Sequence, residues 1–224
     1  LKNYKAMLFD LDDTLLNRDK AVDKMFLIIL EKCYEDIKHS TKNEMLQRFK
    51  EYDKRYYGYN DKTKVLGSLF DEFPPKYRLH RNYIQDFWNN HFPHCFSINQ
   101  NTLNVVNTIK KQGKIAIITN GSTQRQKAKI TNSNLNSYFN LIIISEEVGL
   151  SKPDKRIFDL ALNKLNVQPE AALFVGDDLE KDIGGCQNAN IKGIWFNPHM
   201  IKNDTEIKPY AEIHSFDRLV SHFT

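Results

Sequence analysis

Apolar residues along this chain follow two different periods, and the change between them divides the sequence. Residues 4–9, "YKAMLF", form a short apolar run of the kind that fits a buried strand. From about residue 19 to 92 the period is helical. Val22, Met25, Phe26, Ile29, Cys33 and Ile37 recur at three- and four-residue steps, which places them on one helix face. Comparable patterns follow in 43–57, 62–73 and 79–92, separated by Gly58 and Asn60, by Pro74-Pro75 and by Pro93. This region predicts about four helices and no strand.

Beyond residue 100 the pattern alternates. A helix over roughly 100–112 precedes the strand 114–119, "KIAIIT", and the helix of "TQRQKAKITNSN" leads to the strand 141–145, "LIIIS". Pro153, suited to a first helical turn, is expected to open a helix carrying Ile157, Phe158, Ala161, Leu162 and Leu165. The strand 171–176, a helix over 181–189 and the strand 192–196 continue the series, with a short strand near 211–214 and a terminal helix after it. Near-continuous apolar strands alternating with helices predict a parallel sheet covered on both faces. The expected architecture is a doubly wound α/β core, 1–16 and 97–224, with an all-helical module, 17–96, inserted after the first strand.

Composition narrows the class. The 224 residues are 41% hydrophobic and 27% charged, ordinary for a globular protein. The net charge of +4 is interspersed and gives no argument for nucleic-acid binding, so no nucleic-acid polymer is expected as partner. Cys33, Cys95 and Cys186 form no CxxC pair and read as reduced thiols. The first residues lack a signal-peptide pattern, and the longest apolar run, 25–30, is too short to span a bilayer. The expectation is a cytoplasmic protein without a membrane partner. The pattern is silent on oligomeric state.

Polar clusters fall at the carboxyl ends of the predicted strands: "DLDDT" at 10–14, "TNGS" at 119–122 and "GDDLEKD" at 176–182, with "SKPD" at 151–154 in the loop beyond the third strand. Ligands of open parallel α/β sheets bind at that edge, so four separate segments are expected to converge. Two carboxylates about 4 Å apart repel by roughly 1 kcal/mol in water and about 4 at an effective dielectric constant near 20. Asp10, Asp12 and Asp177 therefore need a counter-charge or stay partly protonated. Mg²⁺, which binds through a few carboxylates and shares its other positions with phosphate oxygens, meets that need, together with Lys152.

These four clusters, in this order, resemble the four motifs of the haloacid-dehalogenase-like superfamily. "DLDDT" matches its DxDxT motif, "ITNG" its second, "SKPD" its lysine motif and "VGDDLEKDI" its fourth. The helical insertion resembles the cap of the subfamily with an α-helical cap. The stretch "TNGSTQRQ…ISEEVGLSKPDKRIFDLAL" is similar to the pyrimidine-nucleotidase and N-acylneuraminate-9-phosphatase branch. The resemblance implies a Mg²⁺-dependent phosphatase acting on a small phosphorylated metabolite. Asp10 would be the nucleophile that forms an aspartyl-phosphate, and Asp12 the acid and base. Side chains two positions apart in an extended segment share a face, about 6.6 Å apart at roughly 3.3 Å per residue. Both could therefore address one phosphoryl group. An acid at position 12 favours a phosphate over a haloacid.

Asp10, the Asp12 main-chain carbonyl and Asp177 would hold Mg²⁺. Thr119, Asn120, Gly121 and Lys152 would bind the phosphoryl oxygens, and Asp178 and Asp182 would orient water on the metal. The implied cap hinges near Asn17–Asp19 and Pro93–Ser97 and closes over the site. A phosphomutase on the same core and a catalytically silent binding module are the competing readings.

Other features fit structural roles. Asp13 and Asp154 read as helix caps. His91 and His94 of "HFPH" lack a second pair at zinc spacing. The sequon at 120–122 coincides with the phosphate motif. Tyr52, Tyr56, Tyr57, Tyr83, Phe87 and Trp88 could offer a face to a base or sugar ring, and Arg48, Arg55 and Arg81 could reach its polar groups. Most of these must instead fill the helical core. Nucleoside 5′-monophosphates or sugar phosphates of similar size are favoured over phosphoglycolate.

Overall fold

A computed structural model of the chain describes residues 4–59 and 61–223. The chain divides into two compact units, Leu1–Asn17 with Ser97–Thr224, and Arg18–Phe96.

The first unit is built on six parallel strands: β1 (Ala6–Phe9), β2 (Lys114–Thr119), β3 (Leu141–Ile144), β4 (Ala172–Gly176), β5 (Lys192–Phe196) and β6 (Ala211–Ile213). Their spatial order is β3-β2-β1-β4-β5-β6. The chain fills the sheet outward from β1 in one direction and then in the other, so β1 is the switch point at which a crevice opens beyond the strand ends. Phe9 pairs in register with Ile117 on one side and Val175 on the other. Asp10, Thr119 and Asp177, at or just beyond the ends of these strands, therefore start out as neighbours.

Alternation along each strand supplies two cores. Ala6, Leu8, Ala116, Ile118, Ala172 and Phe174 pack with Ile157, Phe158, Ala161 and Leu162, and Cys186 joins the same cluster. Met7, Phe9, Ile115 and Ile117 are fully buried, and Phe9 meets the rings of Phe139 and Phe216 instead. This explains why the strands read as continuous apolar runs.

The expected and observed boundaries differ at two places that bear on the site. The helix expected to open at Pro153 begins at Lys155, because the Asp154 carboxylate caps it, accepting the Arg156 N–H at 2.9 Å. Pro153 lies in the preceding turn. The helix expected over 181–189 begins instead at Leu179, as a π-helical turn to Gly184 followed by a short α-helix, Gly185–Asn188. The Asp178 carboxylate starts it by accepting the N–H groups of Glu180 and Lys181. Asp13 does not stand at the start of a helix. Its φ is 58°, and its N–H donates to the Leu16 carbonyl in the tight turn after β1.

The second unit contains α1 (Arg18–Cys33), α2 (His39–Arg55), α3 (Thr63–Glu72) and α4 (Arg81–His91), with a 3-10 turn at Phe92–Cys95. Helix α1 stops before Ile37, in a segment where Asp36 takes φ 47°. The core of this unit is aromatic: Phe26 stacks on Phe49, which meets Trp88, which meets Phe92. Arg18 and Asp53, both largely buried, form a bidentate ion pair within it.

Candidate active site

Three carboxylates collect at the carboxyl edge of the sheet. Ligand atoms of Asp10, Asp177 and Asp182 lie within 4.8 Å of one another. At that spacing each pair repels by roughly 3 kcal/mol at an effective dielectric constant near 20. One cation answers part of that charge. The Lys152 ammonium donates to Asp10 Oδ1 at 2.5 Å and to Asp182 Oδ1 at 2.6 Å, with only 4% of the residue exposed. Burial pulls the Lys152 pKa down, but the Asp10 and Asp182 charges outweigh it and hold the lysine above its ordinary range.

The carboxylates remain under-compensated. Burial pushes Asp10 up to about 7; Lys152 pulls it back, while Asp182 and Asp12 add to the rise. Asp177 is pushed up to about 9, first by burial and then by the Asp10 and Asp182 charges. Two acids that burial and mutual repulsion keep protonated near neutrality form a hard-oxygen donor set whose charge a small divalent cation would offset.

Local sequence explains each placement. Asp10 continues the ladder, its N–H donating to the Val175 carbonyl at 2.9 Å. Asp177 follows β4; Thr14 donates to its Oδ1 at 3.1 Å, and the Trp195 indole donates to its carbonyl at 2.8 Å. Asp182 reaches the site because Gly176 has no side chain. A Cβ there would lie 2.3 Å from Asp182 Oδ2, the oxygen that accepts the Asp178 N–H at 3.1 Å.

Asn120 clamps the lysine loop. Its amide donates to the Lys152 carbonyl and accepts the Lys152 N–H, each at 2.9 Å. The Gly121 N–H donates to Ser145 Oγ at 2.9 Å. Gly121 is required twice over, by its φ of 142° and by the Gln126 side chain, which a Cβ would meet at 3.2 Å.

The Asp12 side chain is held by other partners. The Lys129 ammonium lies 2.7 Å from both of its oxygens, and the Gln126 amide donates to Oδ2 at 3.0 Å. The same Gln126 nitrogen reaches Thr119 Oγ1 at 2.6 Å.

Of the residues singled out in sequence, Asp10, Lys152, Asp177 and Asp182 thus share one cluster, and Thr119 and Asp12 are joined through Gln126. Asp178 turns to the helix start and to Lys181 Nζ at 2.6 Å. Burial works against its charge, but the Lys181 and Glu180 hydrogen bonds hold its carboxyl below the usual range.

A family model described as haloacid dehalogenase-like hydrolase matches residues 7–196. The chain belongs to the haloacid dehalogenase-like hydrolases. Among relatives similar over nearly their whole length, a glyceraldehyde 3-phosphate phosphatase of Pyrococcus furiosus is 31% identical, covering 95% of this chain and 89% of that protein. The pyrimidine 5′-nucleotidase PynA of Streptococcus pneumoniae is 30% identical, covering 97% and 94%. The crystal structure of the HAD-hydrolase YfnB of Bacillus subtilis, bound to magnesium, superposes with a TM-score of 0.76 at 23% identity over the full length of both chains. That likeness is one of fold.

Two residues of this family member's site escaped the sequence reading, Gln126 and Lys129. They sit in "TQRQKAKITN" as ordinary polar positions of a helix, α6 (Thr123–Asn132). Their one trace was being a glutamine and a lysine three apart on the helix that follows "TNGS", both of which prove almost fully buried.

Proposed function

We propose that this family member is a Mg²⁺-dependent phosphatase that hydrolyses a small phosphorylated metabolite through an aspartyl-phosphate. The observation that carries this reading is the meeting of Asp10, Lys152, Asp177 and Asp182 at one sheet edge, with the Asp12 carboxylate fixed nearby. Two relatives similar over most of their length bear the names of phosphate-ester hydrolases.

Asp10 supplies the nucleophilic oxygen. As its bond to phosphorus forms, the ester P–O bond breaks and the alcohol leaves with a proton from Asp12, which must first take up that proton against the pull of the Lys129 ammonium. Asp12, now a carboxylate, takes a proton from water as the water oxygen attacks the phosphorus, which frees Asp10 and releases inorganic phosphate. Lys152 holds Asp10 in place and offsets the charge of the arriving phosphoryl group. Thr119 would donate to a phosphoryl oxygen, while Asn120 would act on the same group by fixing the lysine loop. Asp10 and Asp177, with the Asp12 main-chain carbonyl, would hold Mg²⁺, whose charge would relieve the acids and stabilise negative charge on the phosphoryl oxygens. Asp182, committed to Lys152 and the Asp178 N–H, steadies the lysine.

For the substrate we favour nucleoside 5′-monophosphates or sugar phosphates over phosphoglycolate. Of the side chains considered for recognition, Trp88 is core, and Arg48 and Tyr52 are both engaged with Glu72. Tyr57 and Tyr83 are exposed. The test is phosphate release from p-nitrophenyl phosphate, nucleotides, sugar phosphates and phosphoglycolate, with Mg²⁺ or with EDTA. Release should require Mg²⁺ and vanish in Asp10→Asn. Turnover by Asp10→Asn would refute the covalent step, and an isomeric phosphate ester without free phosphate would mark a mutase. A kcat/KM for phosphoglycolate above every nucleotide and sugar phosphate would refute the substrate preference alone.

A further inference from the structure

The Lys129–Asp12 pair does not involve Lys152, whose ammonium is taken up by Asp10 and Asp182. Lys129 is 6% exposed and Gln126 2%. A lysine this buried loses its hydration, which a solvated surface ion pair would not require. Both of its contacts to Asp12 are 2.7 Å, so the ammonium straddles the carboxylate and sets its plane. Gln126 then adds a 3.0 Å bond to Oδ2 and a 2.6 Å bond to Thr119 Oγ1. One amide thereby ties the oxygen that handles the leaving group to the hydroxyl that faces the phosphoryl group. All three anchoring side chains come from β2 and α6, whose N-terminus directly follows the Gly121 turn.

We propose that Lys129 and Gln126 are positioning residues for Asp12, and that they serve the departure of the leaving group rather than the binding of phosphate. The proposal rests on the phosphatase reading above and on Asp12 as its acid and base. A misplaced general acid matters according to how much the leaving oxygen needs a proton. A nitrophenolate leaves without one; an aliphatic alkoxide does not.

The experiment compares p-nitrophenyl phosphate with an aliphatic ester, glycerol 1-phosphate, in the Mg²⁺-supplemented full chain. The variants are Lys129→Met, Lys129→Arg, Gln126→Leu, Asp12→Asn and the double variant Asp12→Asn/Lys129→Met, each checked by circular dichroism and thermal unfolding. Lys129→Met should lower kcat on the aliphatic ester at least 30-fold but on the aryl ester less than 5-fold, with KM for each changed less than 3-fold. Lys129→Arg should recover part of the aliphatic rate, and Gln126→Leu should show the same preference to a smaller degree. Against Asp12→Asn, the added Lys129→Met should cost less than 3-fold, because the group it positions is already gone. If Lys129→Met folds poorly, the double variant, which removes both charges, and Lys129→Arg carry the comparison.

Equal losses on both esters, a change confined to KM, or a double variant that multiplies the two single losses would overturn the proposal. Wild-type protein that releases no phosphate from either ester would instead fail the phosphatase reading itself, and this inference with it.

Discussion

Gly176→Ala adds a single methyl group, yet it should disable the site from behind. The new Cβ would stand 2.3 Å from Asp182 Oδ2, 2.4 Å from its Cγ and 2.5 Å from its Cβ. Ordinary contact begins near 3.4 Å, so the carboxyl group must retreat by about 1 Å. It has little room, since Asp182 is 1% exposed and Gly176 belongs to a strand paired on both sides. Overpacking of this kind costs about 1–3 kcal/mol. Retreat also strains the 2.6 Å bond to Lys152 and the 3.1 Å bond from the Asp178 N–H, and a hydrogen bond to a charged group is worth about 1.5–3 kcal/mol. The terms overlap, and a net loss of roughly 3–5 kcal/mol is expected.

Urea denaturation with and without Mg²⁺ measures that loss, and phosphate release measures its consequence, a fall in kcat of at least tenfold as Lys152 loses its second anchor. Gly184→Ala is the control. Its Cβ would meet the tip of Ile207 at 3.1 Å, a flexible side chain that can yield, so it should cost less than about 1 kcal/mol. A Gly176→Ala protein as stable as the control and with wild-type turnover would refute the claim that Asp182 depends on this glycine.

Three further outcomes are expected. Asp10 and Asp177 have folded-state values of about 7 and about 9 against an ordinary 3.8, so the metal-free fold binds protons that the unfolded chain has released. That stabilisation is complete below about pH 4 and is lost as pH rises through 7 and 9; the EDTA-treated protein should therefore lose Tm from pH 5 to 9, and Mg²⁺ should flatten the decline. A Tm that rises over this range in EDTA would contradict the raised values of Asp10 and Asp177. Asp177→Ala should raise the Mg²⁺ concentration needed for half-maximal activity far more than Asp178→Ala, which should lose about 1 kcal/mol of stability as a missing helix cap; equal metal titrations of the two would reverse these roles. Gly67→Ala, in α3 with nothing within 4 Å of the added Cβ, should stabilise the helical unit by about 0.5–1 kcal/mol in thermal unfolding.

Local chemistry and periodicity carried the sequence reading a long way. Runs such as "KIAIIT" and "KGIWF" gave strands at the residues observed, because a strand buried on both faces admits few polar positions and its ends are then sharp. Asp10, Asp177 and Lys152 were legible because each directly follows an apolar run or sits in a spaced motif, and strand ends in a parallel sheet share one edge. That an Asp must cap the helix after Pro153 was equally local, though Pro153 itself misled by two residues.

The pairings across the site were decided only by the tertiary structure. Nothing near residue 129 marks it as the partner of Asp12, since the ion pair spans 117 positions and exists only once β2 lies beside β1. Gly176 reads as an unremarkable strand end until Asp182 is seen packed on it, and Asp182 reaches that place through a π-helical turn that no 3.6-residue pattern announces. Trp88 and Arg48 looked like candidates for recognition in sequence because aromatic and basic side chains serve cores and binding faces alike. Burial and a competing Glu72, both properties of the folded unit, removed them. The sequence determined which groups could bear charge and where each strand would stop; folding determined which charges would meet.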